Sequence, residues 1–567
     1  MKDENPRSSA DEKRLQASED MFHSVRLDRD KCMGCTNCIK NCPTQAIRVR
    51  NGKAVIISER CIDCGECIRT CTHNAKQAVT DSLDSMEKYK FTVALPAPAL
   101  YSQFKTARTR NHILTALKRI GFDDVFEVAE GAEFVSNATR QYMKENEIKR
   151  PVISTACPAI VKLVQVKFPS LIDNLLPLQA PVEAAAGLAK KKFSEQTGLS
   201  PDDIGIFFIS PCAAKMHTKN APLRGKKSDI DELISFQDIY MKLRSAIKDI
   251  PPYEEEDIAT ASSFGVRWPN PGGESLAAGT KKFVAVDGIN DVVEILETVD
   301  TNEDSKFRGL DFIECLACKG GCLGGPLTVK NVYVAQVIMK DMRSEQNCRY
   351  KVGELPAKHV DWHDLLWDRK PEHIPVDQLS PNMAEAFRML SDMEEIGDSL
   401  PGIDCGACGA PSCMALAEDI VRGQAKITDC VFKLREKVRG LAVEMFELEG
   451  VMPPTMENSS GETDAGDGGE TETSYIFDIE DGVRGNNKEE SNEDRDEAER
   501  GNPADSDKVN SAEAVHLRGT AERSSGTGAD WDRYPGSTGA AGKEGESIDD
   551  KRYGGLYSGH FADWHNL

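Results

Sequence analysis

The sequence predicts an α/β protein flanked by two cysteine-rich segments. Short apolar runs that stop at Pro or Gly alternate with helical stretches between about residues 90 and 365, a pattern typical of strands in a parallel sheet. A repeated cysteine pattern precedes this region, and a separate group of four cysteines follows it. A chain of 567 residues exceeds what one hydrophobic core usually fills, so we expect two to four structural units.

Composition narrows the class of protein. The formal net charge is −23, and residues 451–567 alone hold 27 Asp and Glu against 11 Lys and Arg, so the acidity belongs mainly to this tail. Because no basic stripe is present, we do not expect a nucleic-acid partner. Residues 1–22 and 445–567 are polar and contain few large apolar side chains, so we predict that both are disordered.

Cysteine usage and hydropathy indicate the compartment. The amino terminus is polar and no run of eighteen apolar residues occurs, so we predict no membrane insertion. The chain has 18 cysteines, most of them at CxxC spacings, which in a large chain favours metal binding in a reducing compartment over disulfides. We therefore predict a cytoplasmic protein. Cys315 and Cys348 fall outside the groups described below.

Residues 23–82 contain an internal repeat. Two copies of C-x2-C-x2-C-x3-C begin at Cys32 and Cys61, the spacing of bacterial two-cluster ferredoxins, in which the fourth cysteine of each copy ligates the other cluster. That rule assigns one [4Fe-4S] cluster to Cys32, Cys35, Cys38 and Cys71, and a second to Cys61, Cys64, Cys67 and Cys42. A zinc site is the alternative, but zinc usually uses two CxxC pairs. We predict an α+β ferredoxin-like domain that carries electrons.

Local patterns predict the elements of the α/β region in turn. Phe91–Leu95 is the first strand, and an apolar run from Pro151 leads to Cys157. Pro158 suits the first position of the following helix. Further strands are predicted at 206–209, 283–286 and 310–316, so strand and helix alternate as βαβ units require.

Three of these strands end near a cysteine. The thiols concerned are those of Cys157, Cys212 and Cys318, with Cys322 close behind. Parallel sheets bind ligands beyond the carboxyl ends of their strands, so the fold is expected to bring these thiols together. Buried structural cysteines are the alternative interpretation.

Residues 380–440 contain the last cysteine group, with the spacing C-x2-C-x4-C-x16-C. Its members are Cys405, Cys408, Cys413 and Cys430. We predict that residues 414–428 form one amphipathic helix that returns Cys430 to the other three. The group resembles the small helical [4Fe-4S] module of certain anaerobic electron-transfer subunits and corrinoid proteins, and a zinc knuckle is the alternative.

The α/β region resembles the catalytic domain of the [FeFe]-hydrogenases. The matching motifs are Thr155-Ala156-Cys157-Pro158, Pro211-Cys212-Ala213-Ala214-Lys215 and Cys318-Lys319-Gly320-Gly321-Cys322. The resemblance implies a domain over 88–368 with two α/β lobes of mainly parallel sheets. It also implies an H-cluster, in which four cysteines hold a [4Fe-4S] cluster and the last bridges to a two-iron unit with CO, CN and a dithiolate amine.

The same resemblance assigns individual roles. The ligands would be Cys157, Cys212, Cys318 and Cys322, the last being the bridge. Lys215 would hydrogen-bond a cyanide, and the turn containing Pro98 would face the cluster. Gly320 and Gly321 would let the backbone approach the cluster closely.

The chain departs from the family's fast catalytic branch where protons move. Ala156 stands where that branch has a proton-relay cysteine, and our alignment puts Asn137 and Arg140 in place of two relay glutamates. Three further substitutions are Ser210 and Leu316 at methionine positions and Val182 at a glutamine position.

The departures predict a slow, sensory relative of the hydrogenases. It would oxidise H2 or reduce protons reversibly and pass its redox state through the ferredoxin or Cys405 module to an electron-transfer or signalling partner. One alternative is a metabolic hydrogenase whose protons enter near His217 or Glu314. Another is an iron-sulfur carrier or assembly scaffold that lacks the two-iron unit. The sequence leaves the oligomeric state open.

Overall fold

The computed structural model describes residues 22–225, 227–301, 307–344 and 361–449, all within one compact unit. Cys348 and most of both segments predicted to be disordered lie outside the described residues. Residues 445–449 are helical, so that part of the predicted disorder is wrong.

The amino-terminal domain consists of short strands and helices. These are β1 Val25–Leu27, α1 Asn37–Lys40, β2 Ile47–Arg50, β3 Lys53–Ile56, α2 Glu66–Arg69 and β4 Lys76–Ala78. β1 pairs with β4 and β2 with β3, both antiparallel. Asn51 and Gly52 take positive φ between β2 and β3, which suits the tight turn of a hairpin. Each helix begins inside one copy of the cysteine repeat.

The central region contains seven strands in two parallel sheets. The strands are β5 Phe91–Pro96, β6 Asp124–Val125, β7 Val152–Ile153, β8 Ile204–Ser210, β9 Glu232–Ser235, β10 Phe283–Asp287 and β11 Phe312–Leu316. One sheet has the order β6-β5-β8-β9 and the other β10-β11-β7, with every pairing parallel. The predicted α/β class with two parallel-sheet lobes is confirmed.

Helices connect and cover these strands. They are α3 Arg110–Arg119, α4 Val128–Glu145, α5 Pro158–Lys167, α6 Pro181–Thr197, α7 Lys215–Asn220, α8 Phe236–Asp249, α9 Ser263–Arg267, α10 Gly273–Ala278, α11 Ile289–Thr301 and α12 Val332–Ser344. β8 is buried along its whole length because helices cover both faces of a parallel sheet. The predicted helix starting at Pro158 is present as α5, with Pro158 in its first turn.

Three helices follow in the carboxy-terminal module: α13 Met383–Ser399, α14 Cys413–Val421 and α15 Val431–Glu449. The single helix predicted over 414–428 is wrong in extent. α14 ends at Val421, and Gly423 takes a left-handed φ of 72° that reverses the chain, as glycine commonly does after a helix. In the described part of the chain, none of the helices combines the length and apolar composition needed to cross a bilayer.

Candidate metal-cluster sites

The two parallel sheets bring four predicted ligands together at their carboxyl ends. Cys157 caps α5 just after β7, Cys212 follows β8, and Cys318 and Cys322 follow β11. Burial, together with the neighbouring Cys212 and Cys157, raises the pKa of Cys322 to about 12. The pKa of Cys318 is raised by burial and by the same neighbours. The four thiols therefore form one quartet.

The surroundings of this quartet suit a metal cluster. Burial raises the pKa of Cys212 to about 11, while backbone N–H groups of Lys215 and Ala214 oppose the shift by hydrogen bonding to its sulfur. Cys322 is exposed to solvent, yet the protein packed around its thiol still raises the pKa of that thiol. Buried thiols crowded together are costly to ionise unless bound iron neutralises them. Amide donors to sulfur are also a usual feature around iron-sulfur clusters.

Lys215 lies against Ala156. Its Nζ donates to the carbonyl oxygen of Ala156 at 2.7 Å, and its charge acts on the buried Glu183, whose pKa is raised by burial. Ala156 is half-buried and its methyl group cannot carry a proton. The positive charge of Lys215 also opposes the raised pKa values of Cys212 and Cys322.

The other predicted cofactor-facing residues are mostly buried structural groups. Ser210 braces the Cys212 loop, because its Oγ accepts from Cys212 N at 3.0 Å and donates to Cys212 O at 3.1 Å. Pro98 begins a buried 3₁₀ turn. Leu316 ends β11, and Val182 is buried in α6.

The two glycines of the last motif serve packing. A Cβ on Gly320 would meet Val332 at 2.2 Å, and one on Gly321 would meet the Pro269 carbonyl at 2.3 Å. Both glycines also have positive φ. Close contact with protein atoms and backbone conformation therefore explain them, in addition to the predicted approach to a cluster.

The positions assigned to proton transfer lie in different surroundings. Arg140 donates to Asn137 and to the carbonyls of Ala277 and Ala278 at the end of α10, so this pair ties α4 to α10. Burial lowers the pKa of His217 to about 4, against the opposing charge of Asp63 in the ferredoxin domain. His217 therefore stands at the domain junction as a neutral ring.

A buried carboxyl pair lies beside the quartet, and sequence reasoning missed half of it. Glu314 on β11 accepts hydrogen bonds from Gly272 N and from N and Oγ of Ser275. Glu274 accepts from Ser154 Oγ at 2.5 Å. Burial raises the pKa of Glu274 well above its usual range, and Glu314 raises it further. The pair therefore holds a proton at neutral pH. A lone Glu at the start of a short helix gave no sign of this burial.

We expect the pH dependence of stability to report this proton. A raised pKa means that the folded chain binds the proton more tightly than the unfolded chain, so stability falls as pH rises above 4.5, the ordinary value for this carboxyl, until the raised pKa is passed. Glu274→Gln cannot titrate. As the pH rises through this window, the unfolding midpoint of the wild type should therefore fall relative to that of the variant. Parallel midpoint curves would contradict a raised pKa, and Glu297→Gln, at an exposed carboxyl, is the control.

The ferredoxin thiols lie close to one another. Burial contributes most to the raised pKa of Cys38, and the charges of Cys35, Cys32 and Cys71 raise it further. Burial likewise contributes most to the raised pKa of Cys64, and the charges of Cys42, Cys67 and Cys61 raise it further. Equivalent N–H donors reach the two exchanged sulfurs, from Ala46 N to Cys42 and from Ala75 N to Cys71, each at 3.2 Å.

Lys76 supports an anionic occupant between these quartets. Its Nζ is buried and has no hydrogen-bond partner among the described residues. Its charge opposes the effect of burial on the thiols of Cys32, Cys38 and Cys67. A buried ammonium without a partner is costly, and a cluster ligated by four thiolates would supply the missing negative charge.

The second ferredoxin quartet abuts the quartet of the α/β region. Burial opposes the charge of Arg69, yet its pKa is raised because Cys318, Glu66 and Cys64 lie close. Arg69 Nη1 also donates to Gly324 O at 2.7 Å. A Cβ on Gly65 would meet Pro326 at 2.6 Å. The two cysteine quartets are therefore neighbours across a tightly packed junction.

A buried ion pair fixes this junction. Lys162 on α5 and Asp63, between two predicted ligands, meet at 2.8 Å with both side chains almost fully buried. Asp63 also accepts from Ser24 N at 2.7 Å.

We expect Lys162→Ala to cost about 3–5 kcal/mol of stability, because it leaves the Asp63 carboxylate buried without its counter-charge. Lys167→Ala removes an exposed pair on the same helix and should cost less than about 1 kcal/mol. Unfolding midpoints of the two variants test this. Equal midpoints would show that the buried pair does not hold the junction.

Three of the four carboxy-terminal cysteines also approach one another. Burial contributes most to the raised pKa of Cys408, and the charges of Cys405 and Cys430 raise it further. Cys413 is the first residue of α14. The module binds the β2–β3 hairpin and the 3₁₀ turn Ser58–Arg60 that follows it. Its contacts are Arg48 with Asp419 at 2.7 Å, Arg60 with Glu418, and Val49 N to Gly409 O at 2.7 Å.

The docked module lies near the first ferredoxin quartet. The atoms closest to a Cβ on Gly406 would belong to Lys40, Ile39 and Thr36, which flank Cys35 and Cys38 in the sequence. No group of three or more His, Cys, Asp or Glu in the described ranges is arranged for a single metal ion. A cubane is larger and needs its thiolates more widely spaced.

Comparisons with known proteins match three parts of the chain. A family model for the iron-only hydrogenase large subunit, C-terminal domain, matches residues 90–281 and 274–326. A 4Fe-4S dicluster model matches 24–72, and a model for an Fe-S cluster matches 400–432. The chain is therefore similar to known iron-sulfur domains over all three predicted cluster regions.

Individual relatives agree with the family models. Iron hydrogenase 1 of Clostridium pasteurianum is 25% identical over 53% of this chain and 64% of its own length. The periplasmic [Fe] hydrogenase large subunit of Nitratidesulfovibrio vulgaris is 27% identical over 54% of this chain and 87% of its own. A solved [FeFe]-hydrogenase chain aligns over 51% of this chain and 95% of its own, with 15% identity and a TM-score of 0.40. This chain thus spans less than two thirds of the first relative.

Proposed function

Because the chain belongs to the [FeFe]-hydrogenase family, we propose that it is a slow hydrogenase that converts H2 to two protons and two electrons, reversibly, and uses the reaction to sense hydrogen or redox state. One observation carries the proposal. Four thiols converge beside Lys215 at the ends of two parallel sheets, next to a ferredoxin quartet.

The residues of the site fit the implied cofactor. Cys157, Cys212, Cys318 and Cys322 would hold a [4Fe-4S] cluster, with Cys322 bridging to the two-iron unit. When bound, this group supplies the metal at which H2 is split and an amine base beside it. Lys215 offers free donors to anionic ligands of the unit, and its bond to Ala156 O fixes its direction.

Proton transfer is the slow step in this account. Ala156 interrupts the relay found in the fast branch, and a general acid-base relay contributes roughly 10²–10⁴-fold to a rate. Glu274, held by Ser154 two residues before Ala156 on the chain, is one of the proton-holding carboxyl groups near the site. We propose that it carries the residual turnover.

The contacts support a single order of electron carriers. The quartet of the α/β region meets the Cys64 quartet through Arg69. The Cys64 quartet meets the Cys38 quartet through Cys67, whose pKa is raised by burial and by Cys38. The Cys405 module docks beside the Cys38 quartet. We therefore place this module, as a further [4Fe-4S] cluster, at the outer end of the route, where a redox or signalling partner would bind.

The sensory role rests on the missing relay together with the retained cofactor pocket. A metabolic hydrogenase with ordinary turnover is the main alternative, and an iron-sulfur carrier or scaffold without the two-iron unit is the other. We infer a cytoplasmic location from the reduced cysteine groups, although one relative is periplasmic by name.

Exposure of the protein to H2 tests the proposal. Protein reconstituted with iron-sulfur clusters and a synthetic two-iron unit should bleach under H2 as its clusters are reduced. The same protein without the two-iron unit should bleach only with a chemical reductant. If the loaded protein does not respond to H2 but accepts electrons from the reductant, it is an electron carrier and the proposal is wrong.

A further inference from the structure

α15 carries an unpartnered apolar stripe that the cluster chemistry does not explain. The helix begins directly after Cys430. Six of its nine exposed large apolar residues recur at alternating spacings of three and four, the a and d positions of a heptad repeat. These residues, with exposures of 45–72%, are Val431, Leu434, Val438, Leu441, Met445 and Leu448.

Such a stripe is costly to leave in water. Single exposed apolar residues are ordinary, but a contiguous row of them usually marks an interaction surface. Within the described ranges no element covers these side chains, since all of them stay exposed. The spacing indicates that another helix packs on this stripe, because a 3.5-residue repeat keeps one narrow seam facing a partner helix.

The charges beside the seam identify that helix and its direction. With Val438 at a and Leu441 at d, Lys437 and Glu444 occupy g positions and Ala442 an e position. In an antiparallel pair of two copies, each Lys437 faces the partner's Glu444. A parallel pair would place Lys437 opposite the partner's Ala442, with no counter-charge.

We propose that the α15 stripe is a dimer interface whose occupant is α15 of a second copy of this chain, packed antiparallel. The same register stacks every a residue on a d residue of the partner, so all six apolar positions are used. A helix of 19 residues is roughly 28 Å long. The two Cys430 residues would therefore lie near opposite ends of the pair, and the electron routes of the two copies would remain separate.

The mass of the full chain in solution tests this interface. The wild type should be a dimer that dissociates on dilution. Leu441→Ser, in the seam, should weaken the dimer at least about tenfold. Phe446→Ser removes a side chain that is 79% exposed but lies outside the seam, and it should leave the dimer intact. Circular dichroism of each variant checks that the helices persist.

Charge exchange tests the direction without touching the apolar seam. Lys437→Glu should weaken the dimer by bringing two acidic groups together, and the double variant Lys437→Glu with Glu444→Lys should restore it. A monomeric wild type would overturn the proposal and indicate that residues 450–567 or another protein cover the stripe. Equal weakening by Phe446→Ser and Leu441→Ser would also overturn it. Failure of the double variant to recover would overturn the antiparallel arrangement.

Discussion

Replacing Cys318 by alanine should abolish hydrogen turnover and remove about six iron atoms from each loaded chain, because a cubane loses a ligand that the protein cannot replace and the two-iron unit is lost with it. Cys318 also faces Arg69 at the junction with the ferredoxin domain, so its loss breaks the electron route where it enters the site. Iron content and H2 evolution from a reduced dye, measured on the same sample, test this expectation.

Cys315→Ala is the matched control. Cys315 lies three residues earlier on β11, and burial raises the pKa of its thiol as it does for Cys318. It is packed in the hydrophobic core, and we assign it no metal. Its variant should therefore keep its iron and its activity. Equal iron loss from both variants would mean that general unfolding of the strand, rather than ligation, explains the result.

Restoring a thiol at position 156 should raise turnover by about 10²–10⁴-fold, the usual contribution of a positioned acid-base group. Lys215 is bonded to the backbone carbonyl of Ala156, which Ala156→Cys retains, so the pocket should keep its shape. Ala156→Ser adds an oxygen of similar size that ionises far less readily, and it should change turnover little. The measurement is the rate of H2 evolution at saturating reduced dye.

The opposite result would identify another proton route. If Ala156→Cys is no faster than Ala156→Ser, the missing relay does not limit the rate, and the metabolic alternative gains support. Glu274→Gln then becomes informative, since a route through Glu274 would slow further in that variant.

Much of the fold and of the cluster sites could be predicted because their determinants are local. Apolar runs ending at Cys157 and Cys212 indicated parallel strands, and the strands are present. The 29-residue repeat predicted two sets of ferredoxin ligands, and the thiols concerned are neighbours in the fold. Strand periodicity and ligand spacing are properties of a few consecutive residues, so they are visible in a single sequence.

The remaining features depend on contacts between distant parts of the chain. The Lys162–Asp63 pair joins residues 99 positions apart, and each would pass for a surface charge in its own segment. Glu274 is buried because α10 packs against α4, α9 and β11. The early end of α14 depends on one glycine within a pattern that otherwise continues the helical period.

Infrared spectroscopy of the protein loaded with the two-iron unit tests the central claim most directly. We expect CO and CN stretching bands in the wild type and their loss in Cys322→Ala, because Cys322 would be the bridge between the quartet and the unit. A wild-type protein that keeps its [4Fe-4S] clusters but shows no such bands would contradict the account and leave an iron-sulfur carrier or scaffold.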